Sequence, residues 1–284
     1  MAIVQAVVNP SIEALTGHIG ARVSGVDPRQ LRAGDIECIR DALHQHLAVF
    51  IPSQPLSAEQ LVEFAEQLGV IEPPHGGLQA HSSNPKVMIT ERRQGGGTRN
   101  DTWHSDVSFD ETPPSVSILQ ALEVPDAGGD TMFASQYAAY EGLVEPMRAL
   151  VDGLEAFHDG LPGFTRQLDG VEGGAERVRR LRSENRTAVH PVVRVHPVTG
   201  RRALYVNRLF TQRIVGLSEI EGRGLLDMLC EHSEQPSFQV RWRWQAGDIA
   251  VWDNRCVIHY AANDVGDATR VMQRITLTGE RPVG

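Results

Sequence analysis

Two histidines and one aspartate have the types and spacing that could hold a catalytic metal ion. His104 and Asp106 are separated by one residue, and His259 lies far downstream. Two imidazoles and one carboxylate leave several coordination positions open, which is typical of non-haem Fe(II) oxygenases. The pattern therefore predicts an Fe(II) site that activates O2, rather than a closed structural metal site.

Two arginines follow His259 at short spacing. Arg270 and Arg274 belong to residues 270–277, which read as a strand, so both side chains are expected on one face. Two guanidinium groups on one face are unfavourable unless both meet anions. A guanidinium can also hold the far carboxylate of a chelating acid through paired hydrogen bonds. The alternative is a strand whose polar face is simply solvated.

The elements that must position these residues are mostly short strands. Strands are predicted at residues 87–90, 115–119, 192–195, 238–242, 248–252, 257–260 and 270–277. Helices are predicted over residues 35–47, over 57–68 behind a capping box, over 135–147 behind Ser135, and after the capping box at Ser218. Many short strands with a few helices predict a single domain over residues 1–284, mainly β with helical insertions, of the sandwich or jelly-roll type.

Three polar segments, residues 72–77, 94–99 and 159–182, lack an apolar period and are rich in glycine. We expect them to be mobile loops, and loops beside a metal site are candidates for lids. The alternative is plain solvent-exposed connections.

Composition excludes several classes of protein. The chain has 284 residues, 41% of them hydrophobic and 22% charged, as in ordinary globular proteins. A net charge of −9 argues against broad nucleic-acid binding, and no stretch approaches a membrane span. Cys38, Cys230 and Cys256 form no metal-binding motif, which suits a reduced cytoplasm with the thiols as core residues. We expect a cytoplasmic homo-oligomer with a small anionic substrate and no nucleic-acid or membrane partner.

A series of motifs in order along nearly the whole chain resembles the TauD/TfdA family of Fe(II)- and 2-oxoglutarate-dependent dioxygenases. The motifs are WHSDVSF (103–109), ETPP (111–114), GGDT (128–131), HPVVRVHP (190–197), ALYVN (203–207), FTQRIV (210–215), FQVRWRW (238–244), WDNR (252–255) and HYA (259–261). The resemblance implies a double-stranded β-helix fold, with Fe(II) as metal and 2-oxoglutarate and O2 as co-substrates.

The resemblance also implies roles for individual residues. His104, Asp106 and His259 would bind Fe(II), and Arg270 and Thr131 would bind the distal carboxylate of 2-oxoglutarate. The implied substrate residues are, in chain order, His75, Asn100, Phe164, Phe210 and Arg274, with Arg274 on the sulfonate, Asn100 on the amine of taurine, and the two phenylalanines as walls. Leu78 departs from the family's taurine enzymes, which carry tyrosine at that place.

The expected reaction is hydroxylation of the carbon beside the sulfonate of taurine or a related sulfonate, giving an aldehyde, sulfite, succinate and CO2. An alkyl sulfate or an aryloxyalkanoate is the alternative substrate, and Leu78 favours a more apolar molecule. Two other classes remain open: a metal-binding or structural protein in which the triad is vestigial, and a Zn-type hydrolase. The hydrolase would leave Arg270 and Thr131 without an evident task.

Overall fold

The computed structural model of the protein describes residues 9–284 except residues 54, 75–78, 94–95, 98–99 and 185. Its strands, in chain order, are β1 (Ser11–Ala14), β2 (Ala21–Ser24), β3 (Ala48–Ile51), β4 (Gln79–Ala80), β5 (Met88–Arg93), β6 (Gly96–Gly97), β7 (Val116–Glu123), β8 (Thr131–Ser135), β9 (Glu155–Asp159), β10 (Thr187–Pro191), β11 (Val193–Val195), β12 (Arg202–Leu204), β13 (Thr211–Ile214), β14 (Gln239–Trp242), β15 (Ile249–Asp253), β16 (Val257–Ala261) and β17 (Arg270–Leu277). Its helices are α1 (Asp35–His46), α2 (Ala58–Leu68), α3 (Gln136–Glu141), α4 (Glu145–Val151), α5 (Gly160–Gln167), α6 (Gly174–Glu184) and α7 (Glu219–Ser233), with a short 3-10 turn at Pro236–Phe238.

Two sheets face each other and enclose the centre of the molecule. The larger sheet runs β1-β2-β3-β15-β7-β17-β5-β4, with β6 paired to β5, and the smaller runs β14-β8-β16. Aromatic side chains fill the space between the two sheets: Phe50 of β3 stacks on Trp242 of β14, with ring centroids 4.3 Å apart, and meets Phe133 of β8 at 5.5 Å. The predicted mainly β jelly roll with helical insertions is thus confirmed.

Helices α1 and α2 cover the outer face of the larger sheet. Their apolar residues, among them Ile39, Leu43, Leu61 and Phe64, form one core with outward residues of the sheet such as Ile275. The predicted capping box at Ser57 is present, and α2 ends before Gly69 as expected. Ile275 and Leu277 of β17 face this outer core, so Arg274 and Thr276, which alternate with them, face inward.

One helix prediction and one loop prediction were wrong. Residues 135–147 form two helices rather than one, because Pro146 has no N–H to continue the ladder and is accommodated in the first turn of a new helix, α4. Residues 159–182, expected to be a loop, contain α5 and most of α6. A Cβ on Gly160 would lie 2.8 Å from the ring of Phe109, so this glycine permits close helix packing rather than marking a loop.

The expectation that the cysteines are core residues is met by two of the three: Cys230 and Cys256 are buried, whereas Cys38 is only partly buried. Across the ranges that the structure describes, no helix is both long and apolar enough to cross a membrane.

Candidate active site

The structure brings the three predicted metal ligands together between the two sheets. His104 Nε2 lies 3.7 Å from Asp106 Oδ1, and His259 Nε2 lies 3.6 Å from the same oxygen. All three residues are buried, and one ligand atom from each fits within a group 4.8 Å across. His104 and His259 therefore present imidazole nitrogens, and Asp106 a carboxylate oxygen, to one common point.

Backbone hydrogen bonds fix the relative positions of the two histidines. His104 and His259 form an isolated antiparallel bridge, in which His259 N–H donates to His104 O at 2.8 Å and His104 N–H donates to His259 O at 3.1 Å. Ser105 Oγ adds a bond to the Val257 carbonyl at 3.0 Å. The segment carrying His104 is thus held to β16 as an extra strand residue, so the two imidazoles are neighbours by register.

Asn254 holds the backbone of Asp106 in place. Its amide oxygen accepts from Asp106 N–H at 2.7 Å, and its amide nitrogen donates to the carbonyls of Asp106 and Pro114 at 3.0 and 2.9 Å. Val107, the next residue, has φ of 52°, a left-handed conformation unusual for a β-branched side chain. The chain turns sharply here, and the Asn254 contacts stabilise that turn.

Both histidines are neutral at pH 7. Burial lowers the pKa of His104, and burial together with the neighbouring His104 lowers the pKa of His259 well below its usual value. His104 Nδ1 lies 2.7 Å from the Thr102 carbonyl, so Nδ1 carries the hydrogen and Nε2 keeps its lone pair. A neutral imidazole with a free Nε2 is the form that binds a metal.

Asp106 stays ionised despite its burial. Burial would raise the pKa of this carboxyl, but the positive charge of Arg274, supported by the hydrogen bond from Ser117, holds the pKa well below its usual value. Ser117 Oγ donates to Asp106 Oδ2 at 2.6 Å, and Arg274 contacts the same oxygen at 2.5 Å. Oδ1 is therefore the oxygen left for a metal.

The donor set fits Fe(II). The Nε2 lone pair of His104, Nε2 of His259 and a carboxylate oxygen of Asp106 meet at contacts of 3.6–3.7 Å, which are too long for hydrogen bonds. Three such acceptors in a buried space are favourable only around a cation. A second buried group, His196 with Asp253 and Cys256, does not fit, because Arg255 and His196 already occupy both carboxylate oxygens of Asp253.

Arg270 lines a pocket together with Asn100 and Ala261, and it lies beside the predicted partner Thr131. Its Nε donates to the Gly129 carbonyl at 3.0 Å, and one terminal nitrogen donates to Thr131 Oγ1 at 3.3 Å. Trp244 Nε1 also donates to Thr131 Oγ1, at 2.9 Å. Because Thr131 Oγ1 accepts two bonds, its own hydrogen is left to donate to a ligand. Burial lowers the pKa of Arg270 to about 10, against the opposing effect of the Asp130 charge.

The turn before Thr131 depends on glycine. Gly129 has φ of 71°, and a Cβ there would lie 3.0 Å from Cδ of Arg270 and 2.8 Å from Val265. A side chain at this position would push Arg270 away from Thr131. The GGDT motif therefore shapes the pocket as well as supplying its hydroxyl.

Aromatic rings form a wall beside the metal ligands. Phe210 meets the ring of His104 edge-on at 5.9 Å, and Phe109 packs against both Phe210 and Phe164 at 5.0 and 5.4 Å. The structure thus brings the predicted residues Phe164, on α5, and Phe210 to the metal site. Asn100 lies beside β16, where its carbonyl accepts from Ala261 N–H at 3.1 Å, and its amide oxygen accepts from Gln167 Nε2 at 3.0 Å. His75 and Leu78 lie outside the described residues.

Three residues that touch the site were missed from the sequence: Ser117, Asn254 and Trp244. Asn254 and Trp244 stood inside the quoted motifs WDNR and FQVRWRW without a role. Ser117 lies in a buried strand as a small polar residue, which is a weak signal by itself. Only the three-dimensional contacts show that each of them orients a ligand or lines the pocket.

Comparisons with known proteins show which family the chain resembles. The sequence profile of the Taurine catabolism dioxygenase TauD, TfdA family matches residues 11–276. The chain is 38% identical to an alpha-ketoglutarate-dependent sulfate ester dioxygenase of Pseudomonas putida, covering 96% of this chain and 91% of that protein. It is 37% identical to an alkylsulfatase of Acinetobacter baylyi, covering 96% and 86%. The crystal structure of a taurine dioxygenase from Burkholderia xenovorans superposes with a TM-score of 0.83 at 36% identity, covering 98% of this chain and 93% of that one.

The matched region includes every motif that builds the metal and Arg270 ends of the pocket. The chain therefore belongs to the TauD/TfdA family and is a 2-oxoglutarate-dependent dioxygenase.

Proposed function

We propose that the enzyme oxidises small alkyl sulfate esters at the carbon that bears the sulfate oxygen. Hydroxylation of that carbon gives a product that collapses to an aldehyde and inorganic sulfate, while 2-oxoglutarate is converted to succinate and CO2. The observation that carries this proposal is Arg274, a buried cation at the metal cluster whose Nε has no partner among the described residues. It marks the place for one anionic group beside the metal.

The roles of the chain's own residues follow from their contacts. His104, Asp106 and His259 would hold Fe(II), and Arg270 with the Thr131 hydroxyl would hold the distal carboxylate of 2-oxoglutarate. When bound, iron, 2-oxoglutarate and O2 supply the oxidation of a C–H bond. Ser117 and Asn254 keep Asp106 in position, and Phe210 limits the space next to His104. The protein's contribution is to position the substrate carbon and to exclude water.

Two features favour an apolar sulfate ester over an amino sulfonate. The wall made by Phe109, Phe164 and Phe210 is apolar. The amide oxygen of Asn100, the predicted partner of an ammonium group, is already engaged by Gln167. The names of the sulfate ester dioxygenase and the alkylsulfatase support the same choice.

Taurine is the second candidate and remains a prediction. It is supported by Asn100 and by the taurine dioxygenase of similar structure. Asn100 Oδ1 has a second lone pair that could accept from an ammonium group. An aryloxyalkanoate would use the same anion site through its carboxylate.

The test is a substrate panel with the iron-loaded enzyme, 2-oxoglutarate and O2. Hexyl sulfate, hexanesulfonate, taurine and phenoxyacetate are compared by succinate formed and by sulfate, sulfite or phenol released. We expect hexyl sulfate to have the highest kcat/KM and to release sulfate in a 1:1 ratio to succinate. Faster turnover of taurine, with sulfite release, would contradict the sulfate ester assignment. Asp106→Ala is the control for turnover that does not depend on the metal site.

A further inference from the structure

Glu72 lies next to the anion site but has no role in the reaction as described so far. Its N–H donates to the Thr276 carbonyl at 2.9 Å, and the adjacent residues Ile71 and Leu277 form an antiparallel bridge. Ile71 and Leu277 both pack into the outer core, so the neighbouring Glu72 and Thr276 face inward. Glu72 is therefore the diagonal neighbour of Arg274, a separation that long side chains can span.

Two atoms at this place are buried without a partner. Glu72 Oε2 and Arg274 Nε are both inaccessible to solvent, and neither has a hydrogen-bond partner within the described ranges. Such atoms are uncommon in folded proteins, because each loses its bonds to water. An oxygen of a bound sulfate group could accept from Arg274 Nε. The same group can satisfy Glu72 only if the Glu72 carboxyl carries a hydrogen to donate.

The charges around Glu72 favour that protonated form. Burial has the largest effect and raises the pKa of Glu72 to about 7; Asp110 and Asp106 act in the same direction, and Arg186 and Arg274 oppose them. Both cations are already paired, Arg186 with Asp110 and Arg274 with Asp106. Bound iron would lower this pKa, whereas a bound anion would raise it again. Substrate binding and protonation of Glu72 are therefore expected to support each other.

We infer that Glu72 is a further substrate-binding residue, which donates its carboxyl hydrogen to an oxygen of the sulfate group held by Arg274. The inference rests on the proposed function. Its consequence is that a proton enters the enzyme with the substrate whenever Glu72 is ionised beforehand. An ionised Glu72 beside a sulfate monoanion would instead place two negative charges together, so affinity for substrate falls as pH rises.

Calorimetry of the anaerobic enzyme with Fe(II) and 2-oxoglutarate bound tests this directly. Hexyl sulfate is titrated at pH 7–8.5 in pairs of buffers that differ in ionisation enthalpy, which gives the number of protons taken up. We expect uptake that approaches one proton per site at the upper end, with Kd rising up to about tenfold per pH unit. Glu72→Gln keeps a donor but cannot titrate, so its binding should show no uptake and a nearly constant Kd. The control Asp110→Asn should keep the uptake.

The outcomes separate this inference from the proposed function. Tight binding of hexyl sulfate to the wild-type enzyme without proton uptake would overturn the role of Glu72 and leave the proposed function standing. Uptake that persists in Glu72→Gln would place the proton on another group and also overturn it. If hexyl sulfate does not bind at all, both the proposed function and the role of Glu72 fail.

Discussion

Replacing Ser117 with alanine should weaken metal binding without touching a metal ligand. Ser117 Oγ donates to Asp106 Oδ2 at 2.6 Å and is fully buried. A hydrogen bond to a charged acceptor is worth about 1.5–3 kcal/mol. Arg274 contacts the same oxygen and remains, so Asp106 is not left unpartnered and the lower end of that range applies. Since about 1.4 kcal/mol is a factor of ten, the Kd for Fe(II) should rise about tenfold.

The assay is anaerobic calorimetric titration of the metal-free protein with Fe(II), supported by the charge-transfer absorption of the metal–2-oxoglutarate complex. Ser233→Ala is the matched control, because Ser233 is equally buried and its Oγ has no partner among the described residues. We expect the control to bind Fe(II) like the wild type. An unchanged Kd in Ser117→Ala would refute the argument that Ser117 orients Asp106. An equal loss in both variants would point to general loosening of the core instead.

The remaining predictions concern the co-substrate, the buried ion pair and pH. Arg270→Ala should raise the apparent KM for 2-oxoglutarate at least about tenfold, and Thr131→Val should raise it by less. Each variant removes a donor to the distal carboxylate of 2-oxoglutarate. An unchanged KM in steady-state assays would contradict both roles. Asp253→Asn should lower the free energy of unfolding by about 3–5 kcal/mol, since it leaves the buried Arg255 with only a 3.9 Å contact to the partly exposed Glu280. Urea titration measures this, and a loss below about 1 kcal/mol would contradict it. Burial, with a further contribution from a neighbouring histidine, lowers the pKa of His158 to about 3 in the folded state. As pH falls, the unfolded chain therefore takes up a proton on His158 at a higher pH than the folded protein does. The stability contributed by neutral His158 is fully present above a pH of about 6.5 and is lost as pH falls toward 3, by about 2 kcal/mol between pH 6.5 and 5. Urea titrations at both pH values should show that loss in the wild type and a smaller one in His158→Gln.

Much of the fold could be predicted from the sequence, because local signals decided it. The capping boxes at Ser57 and Ser218 set the starts of α2 and α7, and alternation placed β15, β16 and β17 within a residue or two. The split between α3 and α4 and the helices of residues 159–182 were missed. Gly160 and Gly163 counted as loop residues in the sequence, whereas tertiary contacts with Phe109 and Leu209 explain why they are glycine.

The residues of the candidate site also fall into two groups, those predicted from local motifs and those whose role depends on the fold. His104, Asp106, His259 and the arginines could be predicted because their chemistry is uncommon and their motifs are local. Residues such as Ser117 and Glu72 could not, since a serine or glutamate gains its role only from what the fold places opposite it. Arg274 belongs to both groups, because the face of its strand was predicted from the sequence but its contact with Asp106 was not. Since that contact holds a metal ligand, Arg274→Ala should weaken metal binding as well as substrate binding.

The backbone bridge between His104 and His259 makes the metal centre depend on contacts between distant parts of the chain. The neighbouring contact from Ser105 to Val257 joins residues 152 apart in sequence, so closing it costs the entropy of a long loop. A nascent or truncated chain without β16 has only two of the three ligands and cannot assemble the site. Iron would then bind the native state alone and stabilise it by mass action. Retention of metal would consequently report that the two ends of the domain have docked.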